Sequence, residues 1–147
     1  MELTATYEFS APAQQVWDLL MNTDAVGSCL PGSRGLHAVG DDRYEVDLGV
    51  AVAAISGNFK GTVAIEEKVP PQSYTLAVEG SGRPGFVKGS ARMTLEPDGN
   101  CTRVHVVAQA DVGGLIARVG QRLLEGVART TMDRFFACLA KQVEREG

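Results

Sequence analysis

The sequence predicts an α+β fold: a curved, seven-stranded antiparallel sheet around a long C-terminal helix, with two short helices after the first strand. Three observations predict it. Successive segments alternate apolar and polar residues with the period of two that marks half-buried strands. Short turns rich in Gly, Pro, Asp and Asn join all but the first of them, which favours antiparallel neighbours over βαβ crossovers. After Gly113-Gly114 the apolar period changes from 2 to 3.6 and stays there almost to the end of the chain.

Glu2 to Ser10 opens the series, with Leu3, Ala5, Tyr7 and Phe9 on one face and Glu2, Thr4, Thr6 and Glu8 on the other. Ser10 is placed to cap a short helix opened by Ala11-Pro12, whose apolar face carries Val16, Leu19 and Leu20 with Trp17 beside it. Asp24 is expected to cap a second short helix that ends at Leu30-Pro31-Gly32. Arg43 to Val52 turns Tyr44, Val46, Leu48, Val50 and Val52 inward, and Asn58 to Glu66 does the same with Phe59, Val63 and Ile65. Beyond Pro70-Pro71, Ser73 to Gly80 directs Tyr74, Leu76 and Val78 inward. Val87 to Leu95 follows the Gly82-Arg83-Pro84-Gly85 turn, with Ala91, Met93 and Leu95 inward. Thr102 to Val112 follows the hairpin signal Pro97-Asp98-Gly99-Asn100, with Val104, Val106, Ala108, Ala110 and Val112 inward. From Leu115 to about Glu144 a single amphipathic helix of about 30 residues, roughly 45 Å long, sets Ile116, Val119, Leu123, Val127, Thr131, Phe135 and Leu139 on one face. So long a helix cannot lie on a small flat sheet, so the twisted sheet must curl round it.

The chain of 147 residues fits one domain, residues 1–147, with a core and a cavity. A net charge of −4 without a concentrated basic footprint argues against a nucleic-acid partner. Cys29, Cys101 and Cys138 are odd in number, far apart and free of CxxC spacing, so they read as thiols in a reducing cytoplasm. The N-terminus has no basic region followed by an apolar run, and no stretch is long enough to span a bilayer. The expected location is the cytoplasm.

Strand parity bears on chemistry. The inward positions are almost exclusively Tyr, Val, Leu, Phe, Ile, Ala and Met, whereas Glu45, Asp47, Lys60, Glu66, Glu79, Lys88, Arg92, Arg103 and Asp111 fall outward. No pair of titratable groups converges on the interior, as general acid–base catalysis requires. His37 and His105 read as isolated surface residues with no partner at ligand spacing, so the sequence calls for no metal and no cofactor. Gly80, Gly82, Gly85 and Gly89 precede a strand rather than a helix, which suits a hairpin and a sheet bend better than a phosphate loop. Gly113-Gly114 reads equally as a hinge at a pocket mouth and as a plain strand-to-helix turn. Trp17 reads as core. Phe86 is placed at an exposed rim, where Arg83, Lys88, Arg118 and Arg122 would give a basic, apolar lip suited to an anionic membrane surface or an acidic partner.

The element order resembles the START-like, helix-grip (SRPBCC) superfamily, and local motifs are similar to those of the family of the carbon monoxide dehydrogenase G subunit. The motifs are Ala11-Pro12, Val16-Trp17-Asp18-Leu19-Leu20, Cys29-Leu30-Pro31-Gly32, Phe59-Lys60-Gly61, the Gly80 to Gly89 stretch, Val112-Gly113-Gly114-Leu115 with Val119-Gly120, and Phe135-Phe136. The resemblance implies a cavity between sheet and helix and a role beside a molybdenum hydroxylase, in assembly, membrane recruitment or electron transfer to quinone. Many members of that family continue into an apolar tail, whereas this sequence ends at Gly147, so any membrane contact is expected to be peripheral.

The sequence thus points to a binding protein for an apolar small molecule, a lipid or a quinone. Its pocket lining is expected to comprise Leu30, Val50, Phe59, Met93, Val112, Leu115, Ile116, Val119 and Leu123, with no catalytic residue. Two alternatives stay open: a cyclase- or hydratase-type enzyme of the same superfamily, and a protein-binding assembly factor with a filled core.

Overall fold

Period-two patterning produces seven strands, as expected, and most run longer than the apolar alternation alone marks. The computed structural model describes residues 1–52 and 55–146. Strands β1 (Glu2–Phe9), β2 (Ser33–Gly40), β3 (Arg43–Val52), β4 (Ile55–Val69), β5 (Ser73–Gly82), β6 (Gly85–Asp98) and β7 (Cys101–Gly113) form one sheet in the order β1-β7-β6-β5-β4-β3-β2. Each neighbouring pair is antiparallel. Helices α1 (Ala13–Leu20) and α2 (Thr23–Cys29) follow β1, and α3 (Gln121–Glu146) follows β7 through a 3-10 turn at Leu115–Val119.

The helix starts differ from expectation. Pro12, in extended conformation, precedes α1 without any side-chain cap, so Ser10 plays no capping role. Asn22 rather than Asp24 caps α2, its Oδ1 accepting the Ala25 N–H at 3.1 Å. Asp24 lies in the first turn, where its charge favours the positive end of the helix dipole.

The long C-terminal element is also not one helix. Gly120, at φ 96°, ends the 3-10 turn, and α3 restarts at Gln121. A 3-10 turn advances three residues per turn rather than 3.6, so the helical phase is reset across the break. Leu123 and Thr131, expected to face the sheet, are exposed; Val127, Phe135 and Leu139 face inward as expected, joined by Leu124, Met132, Phe136 and Val143.

Two sets of contacts fix α3 over the sheet. Towards its C-terminal half, Tyr7 stacks on Phe136 with ring centroids 4.2 Å apart and donates to Asp133 Oδ1 at 2.7 Å. Arg129 donates to the Thr4 carbonyl on edge strand β1. Gln142 reaches the Ser28 hydroxyl and Cys29 Sγ, each at 3.2 Å. At the other end, the Ile116 N–H donates to the Pro84 carbonyl at 2.7 Å, tying the 3-10 turn to the β5–β6 hairpin.

Cys29 and Cys138 are joined as a disulfide between α2 and α3, with Cα atoms 5.5 Å apart. This corrects the expectation of three unpaired thiols. The last turn of α2 carries Cys29 against the face of α3 that bears Cys138, so a separation of 109 residues in sequence becomes contact in space. Cys101 remains free and half-buried. With two of the three paired, the cysteines no longer argue for a reducing compartment.

Candidate functional site: an apolar trough under the C-terminal helix

Antiparallel register lines the inward residues up in rows across β3 to β7. Val46, Gly61, Gly80, Val87 and Val112 form one row, and Tyr44, Val63, Val78, Gly89 and Ala110 the next. Tyr74, Met93, Val106 and Ala5 form a row nearer α1.

Packing on this face is concentrated at two ends. At one, Phe9, Trp17, Tyr74, Met93, Val104 and Val106 pack with Phe136, Leu139 and Val143. At the other, Phe59 and Ile116 pack with Val87, Val112, Val119, Leu124 and Val127. The row Tyr44-Val63-Val78-Gly89-Ala110 runs between these clusters, belongs to neither, and is half-buried throughout. Helix α3 contributes Leu124 and Val127 to one cluster and Met132 and Phe135 to the other, so it bridges the same interval. This interval, with the sheet as floor and α3 as roof, is the apolar trough of the molecule.

Among the predicted lining residues, Phe59, Val112, Ile116 and Val119 come together in the far cluster. Met93 lies in the near cluster beside Tyr74 and Val106. Leu30 is half-buried at the C-terminus of α2. Val50 lies on β3, and its side chain falls outside the described residues. Leu115 and Leu123 are 46% and 44% exposed, because Ile116 and Leu124 take the inward positions on either side of Gly120. The middle of the trough, Val63, Val78 and Ala110, is absent from the predicted lining although strand parity turns all three inward. What marks it is register, which places these three in one row, and register cannot be read from any one strand.

Charge lies on the other face. Glu45, Lys60, Glu66, Glu79, Lys88, Arg92 and Asp111 are all exposed. A concavity of about 720 Å³ occurs there too, walled by Glu45, Asp47, Lys60, Glu79, Phe86 and Lys88. A twisted sheet is saddle-shaped and so is concave on both faces along different diagonals. His105 is outward as expected, its Nδ1 3.0 Å from the Thr6 hydroxyl and its Nε2 3.6 Å from Glu96. Among the described residues no group of His, Cys, Asp and Glu is arranged to hold a metal ion, and no helix is long and apolar enough to cross a membrane.

Burial pushes the Tyr74 phenol well above the ordinary tyrosine range, so it stays neutral. Tyr7 is raised in the same direction, first by burial and then by its bond to Asp133.

Comparison with known proteins gives a consistent picture. The family model for the G subunit of carbon monoxide dehydrogenase (CoxG) matches residues 6–144. A conserved protein from Geobacillus kaustophilus superposes with a TM-score of 0.95 at 32% identity, over 99% of this chain and 96% of that one. A START superfamily protein from Mycobacterium smegmatis follows at TM-score 0.74 and 17% identity, over 99% of both chains. The Zhui aromatase/cyclase from Streptomyces sp. R1128 gives 0.72 at 15% identity, over 99% of this chain and 94% of that one. These last two likenesses establish the helix-grip fold, which is the fold expected from sequence. No functionally curated protein matches the chain.

Proposed function

The chain belongs to the CoxG family, that of the carbon monoxide dehydrogenase G subunit, and from that premise we propose that it is a non-enzymatic carrier holding one apolar small molecule, a lipid or a quinone, for a molybdenum hydroxylase. The observation that carries this reading is the half-buried row Tyr44-Val63-Val78-Gly89-Ala110 between two packed clusters. The rows on either side are half-buried too, but Ile65, Leu76, Ala91 and Ala108 on one side and Val87 and Val112 on the other pack against a cluster, as this row does not. Each 100 Å² of apolar surface covered in the trough is worth about 2.5 kcal/mol, so a ligand burying about 300 Å² gains roughly 7 kcal/mol before the cost of immobilising it. Area alone can supply useful affinity here.

The family supports the link to a molybdenum hydroxylase. Contact with a membrane is supported by the corner where the trough's far cluster reaches the surface. Leu115 and Leu123 are exposed there, close in sequence to Arg118 and Arg122, while Phe86, 51% exposed, turns to the outer face. Exposed apolar side chains flanked by arginines suit an anionic lipid surface, from which a lipid or quinone would be taken up.

Native mass spectrometry after exposure to lipid and quinone extracts tests the carrier. One apolar species should be retained, and Val78→Trp, which fills the middle of the row, should abolish retention while the protein stays folded. Failure of the wild-type protein to retain any species would sink the reading.

A further inference from the structure

Tyr74 stands out among the polar side chains of the inner face. It points inward from β5, is 3% exposed, and meets Trp17 of α1 edge-on with ring centroids 5.4 Å apart. Among the other hydroxyls, Thr102 donates to the Ala11 carbonyl at 2.8 Å and Tyr7 to Asp133, while the half-buried Tyr44 has no hydrogen bond among the described residues. The Tyr74 hydroxyl has no hydrogen-bond partner among the described residues, and none of its interactions lies outside them. Yet no described side-chain polar atom that is sealed from solvent lacks a partner. The Tyr74 oxygen is therefore not sealed from solvent.

We propose that the Tyr74 hydroxyl is the polar anchor of the trough, donating a hydrogen bond to the bound molecule, whose class is thereby an apolar compound bearing a carbonyl or comparable oxygen acceptor. The anchor rests on the carrier reading above and sharpens its ligand. Along β5, Tyr74 is two inward positions from Val78, about 13 Å at strand spacing, with Leu76 between them half-buried. A ligand reaching from Val78 in the middle of the trough to Tyr74 lies on apolar residues along β5 and meets a donor at its end. The same burial that leaves the phenol without a protein partner keeps it protonated, and so a donor rather than an acceptor. Buried polar groups are otherwise almost always paired, and a single well-placed one in an apolar pocket is what fixes a ligand's orientation.

The test uses two probes of matched shape, 2-acetylnaphthalene and 2-ethylnaphthalene, with binding measured by equilibrium dialysis. The wild-type protein should prefer the ketone by roughly tenfold, the value of one hydrogen bond to an otherwise unpaired buried group. Tyr74→Phe keeps the ring against Trp17 and removes only the oxygen. It should bind the two probes equally, with ethylnaphthalene affinity unchanged. A ketone preference that persists in Tyr74→Phe, or wild-type protein that binds both probes alike, overturns the anchor and leaves the apolar carrier standing. Wild-type protein that takes up neither probe removes the carrier reading together with its anchor.

Discussion

Cys29 at the last turn of α2 is bonded to Cys138 on α3, and the bond ties the helix that roofs the trough to the end of the domain where α2 lies. It closes a loop of more than a hundred residues, the regime in which a cross-link most restricts the unfolded chain. Reduction is expected to cost roughly 2–4 kcal/mol, or on the order of 5–15 °C in melting temperature for a chain of this size. Thermal melts with and without a dithiol check this. The Cys29→Ser, Cys138→Ser double variant should melt at the reduced temperature in both, and an oxidised wild type that melts no higher than the variant would refute it.

How much of the fold and the trough is legible in the sequence depends on the range of the signal. Strand parity is local, so the inward set Tyr74, Val78, Met93 and Val106 can be read directly, and the register confirms it row by row. The Asn22 cap is masked because Asp24, two residues on, carries a competing cap chemistry. The helical stripe beyond Gly120 is read correctly at Val127, Phe135 and Leu139 and misses at Leu123 and Thr131, because a strict spacing of four residues drifts from the 3.6 period. The disulfide leaves no local trace. A contact across 109 residues is created by the tertiary fold, and neither spacing nor composition encodes it. The unpaired Tyr74 hydroxyl is equally invisible from sequence, because partnership depends on what the neighbouring rows bring near it.

The turn into the 3-10 segment separates two costs that usually come mixed. Gly114 has φ 83°, and a Cβ there would sit 2.6 Å from the Gly85 Cα. Gly120 has φ 96° with open space where its Cβ would be. Gly120→Ala should therefore cost only the backbone term, about 1 kcal/mol. Gly114→Ala adds the clash against a backbone that cannot give, and should cost at least twice as much. Urea denaturation of the two variants measures the difference, and equal losses would count against the tight crossing at Gly85.

Thr102 is fully buried on β7, and its hydroxyl donates to the Ala11 carbonyl in the connection between β1 and α1. Thr102→Val preserves shape and leaves that carbonyl without its partner. A loss of about 1–3 kcal/mol is expected, read as a lower urea midpoint with an unchanged slope. A loss under about 0.5 kcal/mol would show that the carbonyl finds another donor, since changes of that size are ordinary for surface substitutions.

Alkaline stability follows from Tyr74. In the unfolded chain the phenol ionises near its ordinary value of 10.0, and in the folded protein burial holds its proton to higher pH. A group whose folded pKa is raised contributes stability that is fully present below the unfolded value and is lost as pH rises above it. The unfolding free energy should therefore be insensitive to Tyr74 at about pH 7–9 and fall with rising pH above about 10. Tyr74→Phe removes this proton from both states, so the variant's alkaline decline should be shallower than that of the wild type. Tyr7, raised in the same direction at β1, supplies part of the slope that remains. Denaturant titrations from about pH 8 to 11.5 on both proteins decide the matter: parallel declines would mean that the phenol ionises as easily inside the protein as out of it.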